Sequence, residues 1–254
     1  MNKLEICAVK VRNKLNQVFP SSKKEWFCSA IITAAGNGTR MGGISKQILP
    51  LNNKPCIAYS LLAFQNCRDI NEIIVTAKAS EVDVLREIAE KNGITKLKEV
   101  IPGGSTRQES VSSGFSAVSS KCDIVAIHDA ARPLILSDQI TELINNAKRY
   151  GSASAAMPMY DTVKRGDKNG ISIETIPRDD LYTVQTPQVF KADLYRVALA
   201  LAEKDGFTAT DDTSLAEHAG FPVKLCQVAP INTKLTTSFD IEIIEALLKG
   251  KDNG

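Results

Sequence analysis

AIITAAGNGTRMGGISKQILPL, Ala30–Leu51, runs an apolar strand straight into a glycine-rich, basic loop, and this junction decides the fold class. A chain builds a seat for a polyphosphate in this way. Gly36 and Gly38 can take up φ > 0 and leave no side chain between backbone and ligand, so main-chain N–H groups can point at phosphate oxygens. Arg40 and Lys46 add two cations a short reach away. The loop fits neither of the commoner phosphate templates. A dinucleotide-binding G-x-G-x-x-G would need a third glycine where Met41 stands, and a Walker loop would need G-K-[ST]. Spacing alone leaves a plain tight turn open; the two cations favour phosphate binding.

Outward from this loop the chain alternates short β-rich runs, Ala30–Ala34, Glu72–Ala77, Lys98–Ile101 and Asp123–Ile127, with helical stretches at Pro55–Cys67, Glu81–Asn92 and Thr106–Val118. That order predicts a largely parallel, doubly wound α/β sheet. Ser137 reads as the N-cap of a helix with Ile140, Leu143, Ile144 and Ala147 on one face, ended by Tyr150-Gly151. A further helix covers Phe239–Leu248, with Ile241, Ile244 and Leu248 inward. Between Met157 and Gln185 the rhythm breaks. Polar and apolar residues alternate around Lys168-Asn169-Gly170, the turn chemistry of a two-stranded hairpin. An isolated hairpin is marginal in water, so this arm either lies on the body of the domain or on a second subunit, or is a solvated flap. Lys164, Arg165 and Arg178 make it basic.

The 254 residues, 43% hydrophobic and 24% charged, fit one ordinary α/β domain with a small appendage. A net charge of +2 is too balanced to argue for nucleic acid or membrane as a partner, so an anionic ligand must be held locally. The six cysteines show no C-x-x-C pairing and read as reduced core residues of a cytoplasmic protein. Two histidines, His128 and His218, exclude a histidine-rich metal centre. No window has the uninterrupted apolar length of a transmembrane helix. Residues 1–26 are basic and mixed with apolar positions. They lack an apolar core followed by a small-residue cleavage site, and Glu5 and Glu25 interrupt an acid-poor composition. They read as a short amphipathic extension ahead of a domain spanning 27–254.

HDAARP, His128–Pro133, directly follows the apolar run Asp123–Ile127. Ligands of open α/β sheets sit outside the carboxyl ends of strands, which places Asp129 and Arg132 on the same rim as the Gly36 loop. A carboxylate beside a phosphate seat suits Mg²⁺, which takes one or two protein carboxylates with phosphate oxygens and water. A cap on the following turn is the alternative for Asp129. His128 reads as an orienting or packed residue, with no nucleophile near it. PGGSTRQESV (Pro102–Val111) joins a Gly-Gly turn to a helix start bearing Arg107 and Ser110, suited to touching a base or phosphate. QTPQVF (Gln185–Phe190) reads as a turn, and Lys234 in NTKLTT (Asn232–Thr237) as a surface charge.

As a series, AAGNGTRM with Lys46, GGSTRQESV, HDAARP, DTVKR, PRDDLYTVQTPQ and TKLT resembles the 2-C-methyl-D-erythritol 4-phosphate cytidylyltransferase family, over nearly everything from Ala30 to Leu248. Departures are mild: Ser45 stands where a proline commonly precedes the lysine, Tyr182 where tryptophan is frequent, and Thr233 where isoleucine is usual. The resemblance implies a sheet of the nucleotide-diphospho-sugar-transferase type with a protruding β-hairpin arm, about 158–182, that joins a homodimer. It implies CTP and methylerythritol phosphate as substrates with Mg²⁺ as cofactor. Arg40 and Lys46 would stabilise the transition state, and Asp129 would stand on the metal side. Ala34, Ala35, Gly104, Ser105 and Ser110 would line the cytosine pocket, with Gly36, Gly38 and Arg107 also on the nucleotide. Thr162 and Arg178 on the arm, with Arg132, Thr186 and Lys234 in the body, would take the second substrate. Ribitol-5-phosphate cytidylyltransferases share the nucleotide motifs and are the nearer rival. A dinucleotide-dependent oxidoreductase or a non-catalytic nucleotide-binding module is the remote one. Against the oxidoreductase, Glu72–Ala77 ends in Thr76-Ala77-Lys78 without the acidic residue such proteins need.

Overall fold

The computed structural model describes residues 25–36, 45–228 and 232–252. Residues 1–24 of the extension, and Gly38 and Arg40 of the first loop, lie outside the described residues. Along the chain the strands are β1 (Cys28–Ala34), β2 (Pro50–Leu51), β3 (Lys54–Pro55), β4 (Glu72–Ala77), β5 (Leu97–Pro102), β6 (Ile124–Asp129), β7 (Ser152–Pro158), β8 (Val163–Gly166), β9 (Ser172–Ile176), β10 (Tyr182–Lys191) and β11 (Lys224–Gln227). The helices are α1 (Cys56–Asn66), α2 (Val82–Lys91), α3 (Arg107–Ala117), α4 (Ser137–Tyr150), α5 (Ala192–Asp205), α6 (Asp212–His218) and α7 (Ser238–Asp252).

The central sheet has the order β11-β7-β10-β6-β1-β4-β5. β1 pairs in parallel with β4 and β6, β4 with β5, and β7 with β11, while β10 runs antiparallel between β6 and β7. The alternation of strand and helix therefore gives the mostly parallel sheet it implies, with one strand reversed. That strand contains QTPQVF, which is not a turn. Proline lacks the donor that a central ladder needs, and β10 accommodates Pro187 where its register against β7 shifts between Val184 and Gln188.

Alternation along each strand sends side chains to two faces. Ala30, Ile32, Ala34, Ile124 and Ala126 share one core with α1, α2 and α4, and the half-buried Trp26 packs against it. Ile31, Val125 and Ile127 share the other with α3, α5 and α6. A smaller cluster joins Leu51, Leu134 and Leu235 to Ile244 and Leu248 of α7, and so fixes the segment after Asn232 beside the end of β6. The thiols of Cys28 and Cys56 are free and buried, and burial pushes both up to about 12. Among the described residues no helix is long and apolar enough to cross a membrane.

Two boundaries differ from the sequence reading with consequences for the site. β6 extends two residues past Ile127, so His128 and Asp129 belong to the strand rather than to the loop after it. Ser137 is the first residue of α4 and not its cap: its hydroxyl donates to the Ala63 carbonyl at 2.8 Å, while Gln139 Oε1 accepts from the Leu136 amide at 3.1 Å. The hairpin forms as read. β8 and β9 pair antiparallel, Asp167 Oδ1 accepts from the amides of Asn169 and Ile171, and Gly170 takes the left-handed turn position at φ +81°. Ile171 and Ile173 on this arm are 65% and 64% exposed.

α3 lies so close to the sheet that a Cβ at Gly114 would sit 2.6 Å from Ile31 Cγ2 and 3.0 Å from Thr76 Cγ2. Forcing extra carbon into such a contact typically costs about 1–3 kcal/mol. Gly114→Val should therefore lower the thermal midpoint clearly, as thermal unfolding would record; an unchanged midpoint would show that α3 can lift off the sheet without loss.

Candidate active site

The carboxyl ends of β1 and β6 lie side by side, with Thr33 in register with Asp129. The turn after β5 joins the same rim, because the Gly103 amide donates to the Ala77 carbonyl at 2.7 Å. A cavity of about 310 Å³ opens there. Its walls gather Ala34, Ala35, Gly36, Lys46, Gly104, Ser105, Arg107, Ser110, Asp129 and Lys234, residues spread over two hundred positions of sequence, and add Thr33, Gln47 and Thr106. Three cationic side chains against one carboxylate make these walls a seat for an anion. Gly36 does not use a left-handed backbone conformation. Among the described residues nothing lies within 4 Å of where its Cβ would be, so its missing side chain supplies room at the cavity.

The Gly-Gly turn is held by the start of α3. Thr106 caps the helix by accepting from the Glu109 amide at 3.1 Å, and Glu109 Oε2 accepts from the amides of Ser105 at 2.7 Å and Thr106 at 3.3 Å. This reciprocal cap, with Ser105 added, engages three amide donors at the helix start. The Gly104 amide donates to Ser110 Oγ at 3.1 Å, and that hydroxyl donates to the Thr106 carbonyl at 2.8 Å. A Cβ on Gly104 would fall 2.3 Å from Glu109 Cβ, so glycine is required by close approach. The turn thus directs its amides inward to its own cap. Across the cavity, the Gln47 amide group donates to the Ala34 carbonyl.

Asp129 is the electrostatic centre. Its Oδ1 accepts from Thr33 Oγ1 at 3.2 Å and Arg107 Nε at 3.3 Å, and its Oδ2 from Lys234 Nζ at 2.6 Å. Arg132 Nε stands 4.0 Å from Oδ2. Burial pushes the carboxyl up, but Lys234 and Arg107, with Arg132 behind them, outweigh it and hold Asp129 well below the usual carboxylate range. Lys234 is exposed, as a surface charge would be, but it lines the cavity and its ammonium is paired with Asp129. Lys46 Nζ donates to the Thr236 carbonyl at 2.8 Å, and Asp240 fixes that segment by accepting from the amides of Thr236 and Thr237. The two lysines are thus set by one short stretch ahead of α7.

His128 stands behind this centre, fully buried and tilted against the Phe64 ring. Its Nε2 lies 3.2 Å from the Arg132 carbonyl, which can only accept, so Nε2 carries the proton. Nδ1 then accepts from Thr186 Oγ1 at 3.1 Å, and Thr186 in turn accepts from the Asp129 amide at 3.0 Å. The histidine orients, as its sequence context suggests.

Not every expected residue reaches the cavity wall. Arg132 donates through Nη1 to the Asn232 carbonyl at 2.7 Å, and Thr186 lies beneath Asp129. Thr162 and Arg178 are on the exposed arm and do not line the cavity, the Arg178 guanidinium donating to the Tyr160 carbonyl. Two contributors escape sequence reasoning altogether. Gln47 carries no motif signal beside Lys46. Asp212 follows Asp211, which the pattern Thr-Asp-Asp before a helix could have marked as a cap; Asp211 is that cap, while Asp212 is buried and pairs with Arg107 at 2.6 Å.

Fold and cavity together define a nucleotidyltransferase-type α/β protein. The family model of 2-C-methyl-D-erythritol 4-phosphate cytidylyltransferase matches residues 28–250. The Alkaliphilus oremlandii protein of that name is 42% identical over 228 residues, 89% of this chain and 97% of its own length. The Clostridium botulinum strain 657 protein of the same name is 40% identical over 222 residues, 87% of this chain and 97% of its own. The crystal structure of 4-diphosphocytidyl-2C-methyl-D-erythritol synthase from Anaerococcus prevotii superposes with a TM-score of 0.78 at 30% identity, covering 89% of this chain and 97% of that one. That of the Thermus thermophilus cytidylyltransferase gives 0.73 at 30% identity, covering 88% and 99%. The chain belongs to the 2-C-methyl-D-erythritol 4-phosphate cytidylyltransferase family.

Burial lowers the His128 imidazole from its ordinary value of 6.5 to about 4. In the unfolded chain it takes up its proton first, so stability is whole above pH 6.5 and falls as pH drops from there toward 4. Asp129, whose carboxyl is depressed, adds its loss only below the ordinary carboxylate range. Thermal midpoints followed between about pH 7 and 4 should decline through the upper window, and His128→Asn should flatten that decline. An identical slope in the variant would assign the acid sensitivity elsewhere.

Proposed function

We propose that this chain transfers the cytidylyl group of CTP to 2-C-methyl-D-erythritol 4-phosphate, releasing pyrophosphate and forming 4-diphosphocytidyl-2-C-methyl-D-erythritol for non-mevalonate isoprenoid biosynthesis. The observation that carries this reading is the meeting of Lys46, Arg107, Lys234 and Asp129 on one cavity wall beside the Gly103-Gly104 turn. In the transfer, a phosphate oxygen of the acceptor forms a bond to the α-phosphorus as the bond to the bridging oxygen breaks, and that electron pair leaves on pyrophosphate. The attacking phosphate is already ionised at neutral pH, so no general base is needed. A buried, neutral His128 facing away from the chemistry suits this requirement. What remains is positioning and neutralisation of charge. Lys46, with Arg40 from the adjoining loop, would stabilise charge moving to the leaving group.

The base would be read by main-chain groups. Because the amides of Gly104, Ser105 and Thr106 are engaged by Ser110 and Glu109, the turn presents acceptors. Ser110 Oγ keeps one lone pair beyond its bonds to Gly104 and Thr106. Acceptors suit the exocyclic amino group of cytosine and repel the oxygen that uracil carries there. Ala34 and Ala35 close the pocket, with the Ala34 carbonyl steadied by Gln47. Gly36 and Gly38 would give the phosphates access to the backbone.

Among the described residues no group of three or more metal-binding side chains occurs. Mg²⁺ nevertheless fits: Asp129 is a carboxylate kept ionised on the cavity wall, and this ion accepts one such ligand when phosphate oxygens and water complete its shell. Asp129 would hold it, directly or through water, and the ion would neutralise triphosphate charge. Lys234 and Arg132 would meet the acceptor phosphate in the body of the domain, with Thr186 supporting them from beneath.

Thr162 and Arg178 would complete the acceptor site from a partner subunit. The arm is a two-stranded ribbon with exposed Ile171, Ile173 and Tyr160, too thin to stand alone in water, and a homodimer would cover it. We place the enzyme in the cytoplasm, where its buried free thiols stay reduced.

Pyrophosphate release measured with CTP or UTP and with each candidate acceptor tests the reaction. Methylerythritol phosphate with CTP should be the preferred pair; preference for ribitol 5-phosphate, or equal use of UTP, would overturn the assignment. The shared site is tested by co-refolding Arg178→Ala with Lys234→Ala. In a heterodimer one site carries both lesions and the other neither, so activity should return to about half per heterodimer if sites act independently. Heterodimers that form and stay inactive would place Arg178 in its own subunit's site.

A further inference from the structure

Behind Arg107, away from the cavity, lies a carboxylate that the proposed reaction does not use. Asp212, at the start of α6, is 1% exposed, and both of its oxygens are engaged: Oδ2 accepts from Arg107 Nη1 at 2.6 Å and Oδ1 from Tyr195 Oη at 2.7 Å. Tyr195, on α5, is itself fixed, with the Phe190 ring 5.0 Å away and the Phe115 ring edge-on at 5.1 Å. The Asp212 amide donates to Gln188 Oε1 at 2.9 Å, which ties α6 to β10. A carboxylate enclosed by α5, α6 and β10 can shift little.

We infer that Asp212, held by Tyr195, is a positioning residue that sets Arg107 in the nucleotide seat. This rests on the cytidylyltransferase reading of the cavity. The physical reason lies in Arg107's other partner. Asp129 meets Arg107 Nε at 3.3 Å and also Lys234 at 2.6 Å. A guanidinium fork readily closes on one carboxylate through two parallel bonds, and Arg107 left to itself would fold onto Asp129 in that way. It would then compete with Lys234 and withdraw from the cavity. Asp212 prevents this by claiming Nη1, so the guanidinium spans two carboxylates and Arg107 stays in the cavity wall. A buried ion pair gives weak net stability against an apolar replacement of equal size. Placement is the better account of why a charge is buried at this point.

The test is a double-mutant cycle on the full-length protein with Asp212→Asn, Arg107→Gln and both together, reading kcat/KM for CTP, KM for methylerythritol phosphate, and CTP affinity by calorimetry. Asp212→Asn should lower kcat/KM for CTP by about 10–100-fold, on the scale seen when the partner that orients a metal ligand is removed. The KM for the acceptor should stay unchanged. In the Arg107→Gln background the same substitution should cost almost nothing further, because the residue it orients is gone. Tyr195→Phe should act in the same direction but more weakly, and carries the test alone if Asp212→Asn does not fold. Multiplying effects in the cycle, a rise in both KM values, or a folded Asp212→Asn or Tyr195→Phe protein with unaltered kcat/KM would overturn the inference while leaving the reaction standing. Wild-type protein that neither binds CTP nor releases pyrophosphate would overturn the functional reading and the inference with it.

Discussion

A single ionised carboxylate at the end of a central strand sets the terms for everything around it. Asp129 is taken out of water by the sheet beneath it, and a charge removed from water must be compensated nearby or it neutralises itself. Compensation arrives from three remote segments: Lys234 ahead of α7, Arg107 at the start of α3, and Thr33 on the neighbouring strand. Each of those contacts also aims a side chain at the cavity. The demand to satisfy one buried charge thereby organises the surface on which a triphosphate would lie.

The cavity and the arm are built differently. The cavity rests on regular elements, with the Gly103-Gly104 turn locked by a helix cap and by Ser110, and its cations held by Asp212, Asp129 and the Thr236 carbonyl. Such a surface needs little rearrangement when charge develops on a ligand, which is the condition for strong electrostatic stabilisation. The arm shows the opposite character. Val163–Gly166 and Ser172–Ile176 have no helix over them and expose large apolar residues. A ribbon of this kind gains definition only from what it lies against, so acceptor recognition would depend on assembly whereas nucleotide recognition would not.

Under the proposed function, nucleobase choice would also follow from how the backbone satisfies itself. A turn whose amides cap its own helix has its carbonyls left to offer a ligand, and carbonyls would discriminate between an amino group and an oxo group without any charged side chain. The same cap places Arg107 as the first residue of α3, so base reading and phosphate binding would be coupled through one short piece of chain.

Local chemistry made much of this legible in the sequence. Alternating apolar runs and helical stretches specify a mostly parallel sheet, because side-chain period and chain connection leave few other ways to bury those residues. Asp129, Arg107, Gly104 and Lys46 could be picked out where they stand, since glycine-rich turns and charges at strand ends carry their physics within a few residues. The hairpin was equally local, set by Asp167 and Gly170. The reversal of β10 was hidden, because a proline in QTPQVF signals a break and says nothing of the partners that tolerate one. Lys234 reads as a surface charge by its neighbours alone, and Asp212 carries no signal at all; each meets its partner, Asp129 or Arg107, 105 residues away along the chain. Strands, helices and turns could be located from the linear pattern because they depend on interactions a few residues long. Which charges face one another could not, because the pairing of buried ions depends on distance in space and on exclusion of water, and both exist only once the chain has folded.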